Sequence, residues 1–565
     1  MKGIRRSKVL ILILMLVLTG LVLGFSIAKD KVIVHGYQRS TSIIPEHNFV
    51  DINDSTGSSY YISYTDFRLN IANDTATPDS IKQALQINMP EHQRGKIRFD
   101  TAQELYNFSV DVSAFAGRYQ HASTLLELHY VLGQDIDYND LGGIARFIPI
   151  GYSYLDSLGH LKRDIFSGIF DGRGFEIKNL YLADNKENEL YIVDGDQEII
   201  TTPYYSMFAF SSGTIKNFGL IDPKFELRIG SSDLTKASHI VGENTGVVEK
   251  VFVNYNEANK GIYFITDVGH QLKPQAAGLV FWNKDNGQVL NSYYANEVVI
   301  LPRHMKNFEV ETPAGSGVYK AAIQPGVFKV DATSTVSDVV YDSTKYLLTV
   351  ISGAQTINVL EPSAVHTPKT TTELKTNGLG TDWFYYPNYQ YPALFGLNLN
   401  ASNQYEIASA VDFIHFNKIQ NLPYTEYKSA NYIISNSATT LDLRDVAPKA
   451  FKTPLVPFTG TLDGNNKRIA YLLIDNGKSS NRDFYVGMFG TLSGTVKNLT
   501  IIKSRVDLKD FQTANFNYHV GLIAGAMLDG TVENVQIKGN VYLNKQIPQN
   551  LNVGIIAGRA SGLIK

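Results

Sequence analysis

Cysteine is absent from all 565 residues. That removes disulfides, thiolate metal sites, cysteine nucleophiles and lipid attachment through a thiol, so the folded chain is held by its core alone. Tryptophan occurs twice, and no basic block lies outside the N-terminus in a chain of formal net charge −3. Nucleic-acid binding therefore has no electrostatic footprint. The twelve histidines form no His-Glu-x-x-His, no Gly-x-Ser-x-Gly elbow is present, and no Gly-x-x-x-x-Gly-Lys phosphate loop occurs. A lone Gly378-Leu-Gly380 is too little for a nucleotide site. No cofactor and no metal are expected.

What the chain has is apolar and aromatic: 44% of residues are hydrophobic and 19% charged, with 33 Tyr and 29 Phe. This is the balance of a folded protein rich in strands. Its first residues carry Lys2, Arg5, Arg6 and Lys8, followed by an almost unbroken apolar run over 9–25 and the small residues Ser26 and Ala28. Residues 1–28 read as a secretory signal peptide cleaved after Ala28, or as an uncleaved membrane tether through 9–25. Either reading places the rest of the chain outside the cytoplasm.

One block of sequence occurs twice. Residues 166–172 read Phe-Ser-Gly-Ile-Phe-Asp-Gly, and residues 458–464 read Phe-Thr-Gly-Thr-Leu-Asp-Gly. Each is followed by a second shared piece, Gly-Thr-Ile-Lys-Asn-Phe-Gly-Leu from Gly213 and Gly-Thr-Val-Lys-Asn-Leu-Thr-Ile from Gly494. Counting from Gly213, Gly246, Gly494 and Gly530, apolar residues fall at the second, fifth and seventh positions. The spacing of two is a strand with one buried face, and the spacing of three shifts the phase, so the chain turns a corner there. Asn217, Asn498 and Asn534 occupy that corner, and asparagine tolerates left-handed backbone. A strand, a corner and another strand, renewed about every 30 to 40 residues, predict an all-β parallel β-helix or solenoid with short capping helices.

Small residues around an apolar pair recur before these glycines, as Gly-Leu-Ile-Ala-Gly from Gly521, Gly-Ile-Ile-Ala-Gly from Gly554 and Ala-Gly-Leu-Val-Phe from Ala277. These residues resemble the Glug-motif repeats of bacterial surface proteins, including large adhesins and the non-catalytic regions of IgA-cleaving surface peptidases. The resemblance covers about residues 95–565. It implies an adhesive or structural array at the cell surface, with an extracellular glycan or protein as partner. It also likens residues 371–394, with Trp383 and a Tyr-Pro-x-Leu from Tyr391, to the closing segment of a module, covering the stack's end with aromatics.

Residues 29–94 lack the repeat and serve as a cap or small leading domain. The first module spans 95–400 and the second 401–565. Helices are expected over 99–108, capped by Asp100 or Thr101 with Glu104, and over 407–416. Gly287 fits the rule imperfectly because Ser292 stands at an apolar position, and the pattern lapses over 296–343, read as an insertion. The second module has no closing segment, so the chain is expected to be truncated or its last coil to dock on a partner.

Asp171-Gly172 and Asp463-Gly464 recur at one place, so they read as turn chemistry before calcium binding or catalysis. Asp135 and Asp137, two apart on a strand, are the best carboxylate pair for an acid and base, as in polysaccharide lyases and hydrolases; the second module has Ser435 and Ser437 there. Three functions remain open: a non-catalytic adhesive array, a carbohydrate-active enzyme using Asp135 and Asp137, and a ligand-free spacer. For the array, the contact segments are 296–343 and the Tyr-rich stretch with Tyr385, Tyr386 and Tyr389.

Overall fold

The Gly-led segments pair with one another in parallel, each repeat one coil further along a stack. Thr214–Ile221 pairs with Val247–Asn254, which pairs with Gln288–Ala295, which pairs with Thr335–Asp342, and Ile215, Val248, Val289 and Val336 lie in one register. The second series runs through Thr461–Ala470, Thr495–Leu508, Thr531–Leu543 and Leu563–Ile564, with Leu462, Val496, Val532 and Ile564 in register. These coils make two β-solenoids in a computed structural model. It describes the chain from residue 61 onward, apart from 72–95, 113–121, 143–145, 156–160, 184–190, 195–196, 201–203, 230–235, 256–260, 267–274, 296–297, 302–321, 346–347, 353–354, 360–365, 387–390, 476–482, 509–516 and 544–549. The signal or tether run lies outside the described residues.

In the first stack the long sheet begins at Tyr61–Ser63 and ends at Thr367–Lys369. Its first rung thus falls in the region read as a leading domain. Tyr61–Ser63 pairs in parallel with Lys96–Phe99, and the helix Tyr64–Ile71 follows it directly. Three further sheets complete the coils, among them the ladder Phe208–Ser211, Val241–Asn244, Val280–Asn283 and Val327–Val330. Among the described strands, antiparallel pairing occurs in hairpins such as Tyr152–Leu155 with Leu161–Asp164. The second stack starts at Tyr405–Ile407 and, among the described strands, shares no sheet with the first.

The corner rule is met at the backbone. Asn217, Lys250, Asn291 and Asp338 in the first stack and Asn498 and Asn534 in the second all have φ between 44° and 58°. Their left-handed conformation breaks the period-two alternation, so Phe218, Val251, Leu499 and the preceding apolar residue of each coil both point inward and are buried. Part of the segment read as an insertion is a regular coil: Ala322–Gln324, Val327–Val330 and Thr335–Asp342 continue three ladders. Ser334 stands where the other coils carry glycine, which hid Val336, Val339 and Tyr341 from the rule.

Ser292 is buried although polar, because its Oγ accepts from Val251 N at 3.1 Å and donates to Leu290 O at 2.7 Å. Inside the same stack Asn244 Nδ2 donates to Asn283 Oδ1 at 2.8 Å, and Asn283 Nδ2 to Gly287 O at 2.9 Å. These buried amides satisfy turn carbonyls that water cannot reach.

The capping helix Ala102–Asp111 carries the expected box, with Thr101 as N-cap and Glu104 closing it. Its counterpart runs later than expected, over Ala410–Asn421 from the N-cap Ser409. The closing segment, expected over the stack's end, lies along its flank. Trp383 stands edge-on to Phe252 and Tyr293, Tyr293 Oη donates to Pro392 O at 2.7 Å, and Tyr391 Oη donates to Asp342 at 2.6 Å. Phe252, Tyr293 and Val340 are the outward residues after the corner, and an apolar row there requires a cover.

Candidate functional site

Each Asp-Gly is a turn bonded into the next coil. Asp171 Oδ1 accepts from Arg173 N at 2.9 Å and from Asn217 Nδ2 at 3.0 Å. Asp463 Oδ1 accepts from Asn465 N at 2.9 Å and from Asn498 Nδ2 at 3.2 Å, and Asn534 Nδ2 donates on to Asn498 Oδ1 at 3.0 Å. The left-handed residues are Arg173-Gly174 and Asn465-Asn466, one step past the expected pair. Gly172 and Gly464 are needed for close approach instead: a Cβ would lie 2.2 Å from Phe218 Cβ at the first and 2.5 Å from Asn498 O at the second.

Asp135 lies where the two stacks meet. The helix Ala410–Asn421 from the second module brings Lys418 Nζ within 2.8 Å of Asp135 and 2.9 Å of Glu176. Lys178 Nζ completes a four-charge cluster at 3.3 Å and 3.2 Å from the same two acids, and Glu176 N donates to Asp135 Oδ1 at 3.0 Å. Burial by itself raises the Asp135 carboxyl, but Lys418 and then Lys178 outweigh it and hold the group well below the usual carboxylate range. The ammonium of Lys418 also sits 3.9 Å from the centre of the Phe395 ring.

Around this cluster, Arg173 Nη1 donates to Asp445 O at 2.8 Å, Ala447 N to Gly133 O at 3.0 Å, and Arg98 to Arg444 O. Phe175 meets His415 edge-on. Burial, with Lys418 nearby, pushes His415 down to about 3, and burial pushes the Asp445 carboxyl up to about 6 against the pull of Arg173. Asp137 is spent differently: its Oδ1 caps the turn at Asn139 N and accepts from Asn179 Nδ2, both at 2.9 Å. Asp135 and Asp137 thus engage separate partners, and each carboxylate is bonded into the scaffold.

The Tyr-rich stretch divides. Tyr386, 7% exposed, donates to Phe395 O at 2.9 Å and stacks on the Phe395 ring, so its surface belongs to the core and does not face a ligand. Tyr385 is half-buried against the closing cluster, its hydroxyl accepting from Leu379 N at 2.9 Å. Tyr389 and residues 302–321 lie outside the described residues. Among the described residues, no group of three or more His, Asp or Glu could hold a metal ion, and no helix is long and apolar enough to cross a membrane.

A surface that the sequence reading did not single out lies on the outer face of the ladder through Phe208–Ser211. Phe210, Glu243, Trp282 and Lys329 stand in one register across four coils. Burial falls along this row, from Phe210 and Glu243 to half-buried Trp282 and exposed Lys329. Glu243 is neutralised by Arg163 at 2.7 Å and Lys284 at 3.5 Å. Trp282 Nε1 donates to Asp331 at 2.9 Å, and Lys329 Nζ lies 3.7 Å from the centre of its ring. Beside it Phe281 stacks on half-buried Phe328. The signal was present: Val-Gly-Glu-Asn, Val-Phe-Trp-Asn and Val-Phe-Lys-Val occupy one place in successive repeats.

No family model matches the chain, and no curated protein matches it. Among solved structures, one described as a "putative immunoglobulin A1 protease from Bacteroides ovatus" is similar at 12% identity, over 54% of this chain and 93% of that one, with a TM-score of 0.27. The parallel stacks agree with the architecture expected from Glug-type repeats.

Proposed function

We propose that the protein is an exported, non-catalytic repeat protein that works as a rigid binding array at the cell surface, taking glycans or proteins of its surroundings. The observation that carries this reading is the row ending in Trp282 and Lys329. A stack repeats outward positions at a fixed rise of about 4.8 Å per coil, so it presents several weak contacts in one line. Two contacts on one rigid body act together, and avidity supplies the strength. An aromatic ring beside Phe328 and two lysines offers a sugar or a protein both an apolar face and charge.

The test is incubation of the purified chain with a panel of glycans and matrix proteins, scoring retained and shortened species by mass while following tryptophan emission. Trp383 is buried, so a ligand-dependent change reports Trp282. Retention with an emission change that Trp282→Phe abolishes is the expected result. Shortened glycans would replace this reading with a carbohydrate-cleaving one, and no retention of any kind would leave a spacer.

A further inference from the structure

The two stacks treat the same flank in opposite ways. In the first, the outward register after the corner holds Gly219, Phe252, Tyr293 and Val340, and the closing segment lies over it. In the second, the same register holds Arg468, Thr500 and Gln536, and two residues further on Ala470, Ile502 and Lys538. Arg468, Lys503 and Lys538 are exposed.

A second difference falls at the turn beside that flank. Where the first stack has Asn179, with φ of 55°, the second has Tyr471, with φ of 61°. Among the described non-glycine residues with positive φ, Tyr471 alone is aromatic; the others are Asn, Asp, Lys or Arg. A bulky side chain in left-handed backbone is strained, such strain persists only where surrounding contacts hold it, and strained residues cluster at functional sites. The Tyr471 ring is only half-buried. Arg444, held by Asp442 through two nitrogens, lies over it with Cζ 4.0 Å from the ring centre, and Lys503 Nζ donates to its hydroxyl at 2.9 Å.

We propose that this flank, centred on Tyr471, is a contact site for an anionic polysaccharide, a chain bearing carboxylate or sulfate groups along its length. Arg468 and Tyr471, then Lys503, then Lys538 belong to successive coils about 4.8 Å apart in rise, and their offset of two to three residues along the strands makes the charges cross the stack obliquely, a path an extended polymer can follow. The aromatic ring takes the apolar face of a sugar, which distinguishes a glycan from an acidic peptide. The inference rests on the reading of the chain as an exported array, but it uses a different flank from Trp282.

The experiment is retention of the full chain on heparin, on polygalacturonate, on neutral dextran and on poly-glutamate, with salt elution. Retention is expected on heparin and polygalacturonate alone, weakening with salt as bound counterions compete. Tyr471→Asn is expected to weaken it about tenfold, the worth of one aromatic contact. Its melting temperature should be no lower than that of the parent, because asparagine suits this backbone; a folding defect is thereby separated from loss of the site. The combined Arg468→Gln, Lys503→Gln, Lys538→Gln variant should not be retained. Parent-like retention of both variants would overturn the site while leaving the Trp282 reading standing. Equal retention on poly-glutamate, indifferent to Tyr471→Asn, would assign the flank to an acidic protein instead, and failure of the parent on both polyanions would also overturn it.

Discussion

Replacing Lys418 by methionine keeps the length of the side chain and removes the one cation that the second module places among the acids of the first. Glu176 is the sensitive partner: its side chain is 1% exposed, so it cannot recover water when Lys418 goes. Removing one member of a buried ion pair costs about 3–5 kcal/mol because a charge is left uncompensated. Here Lys178 remains 3.2 Å from Glu176 and 3.3 Å from Asp135, itself about a third exposed, which points to the lower end, about 3 kcal/mol. The effect has an address. Both tryptophans, Trp282 and Trp383, belong to the first module, whereas circular dichroism sees strands of both. In urea, Lys418→Met should lower the midpoint by both probes and separate the two curves, as the second stack loses its hold on the first. Adding Glu176→Gln should return part of the loss, since the stranded charge goes with it. A single variant within about 0.5 kcal/mol of the parent, the range of an ordinary surface change, would refute the assignment of the cluster as the junction's main polar tie.

Two further expectations follow from groups buried inside the stacks. Ser292→Val satisfies the apolar rule of the repeat, yet it should destabilise by about 1–3 kcal/mol, because Val251 N is left without its acceptor; chemical denaturation reads this, and a gain in stability would show the serine to be a mere vacancy in the pattern. The chain should also lose stability from pH 7 to pH 4.5. His239 and His366 are pushed down to about 4 and His415 to about 3, burial being the first cause at each. Their stabilising effect is complete above the ordinary value of 6.5 and is lost as pH falls toward the depressed values. That amounts to about 2–3 kcal/mol for each by pH 4.5. Asp445, raised to about 6, works the other way and gains as pH falls through that value, by about 2 kcal/mol. Glu104, Asp111 and Asp412, also raised by burial, act in the same direction as Asp445; the three histidines are expected to outweigh these carboxyls, and a melting temperature that holds or rises over this range would contradict that.

Much of the fold was legible because a solenoid writes its register into the chain. Every coil repeats the same inward positions, so Ile215, Phe218 and Leu220 announce Val248, Val251 and Val253, and the left-handed corner is visible as a slip in spacing with asparagine upon it. The rule failed where one residue type stood in for another. Ser334 replaces the leading glycine and conceals a whole coil, and Ser292 replaces an apolar residue by supplying the hydrogen bonds itself. Long-range partners were not legible at all. Nothing local to Asp135 shows that Lys418, 283 residues away, will neutralise it. Trp282 drew no notice in the sequence for a related reason: the row it forms with Glu243 and Lys329 exists only once the coils are stacked.

The contrast between the two flanks shows why the first stack requires its returning segment. After the corner of the first stack, the outward positions are Phe252, Tyr293 and Val340, and leaving them bare would expose a continuous apolar stripe. The covering segment is therefore tied down by polar bonds as well as by its rings, with Trp383 Nε1 donating to Asn291 at 3.0 Å and Lys250 paired to Asp382 at 3.1 Å, both partners being corner residues of the first stack. The second stack has the same backbone at the same positions but fills them with Arg468, Thr500 and Gln536, which water solvates directly. In this chain, putting aromatics at Thr500 and Gln536 would recreate the apolar stripe and should drive self-association, visible as a concentration-dependent rise in sedimentation. If that variant stayed monomeric, the polarity of this flank would need a cause other than solubility, and the retention of a strained Tyr471 at its edge would weigh more heavily toward a ligand.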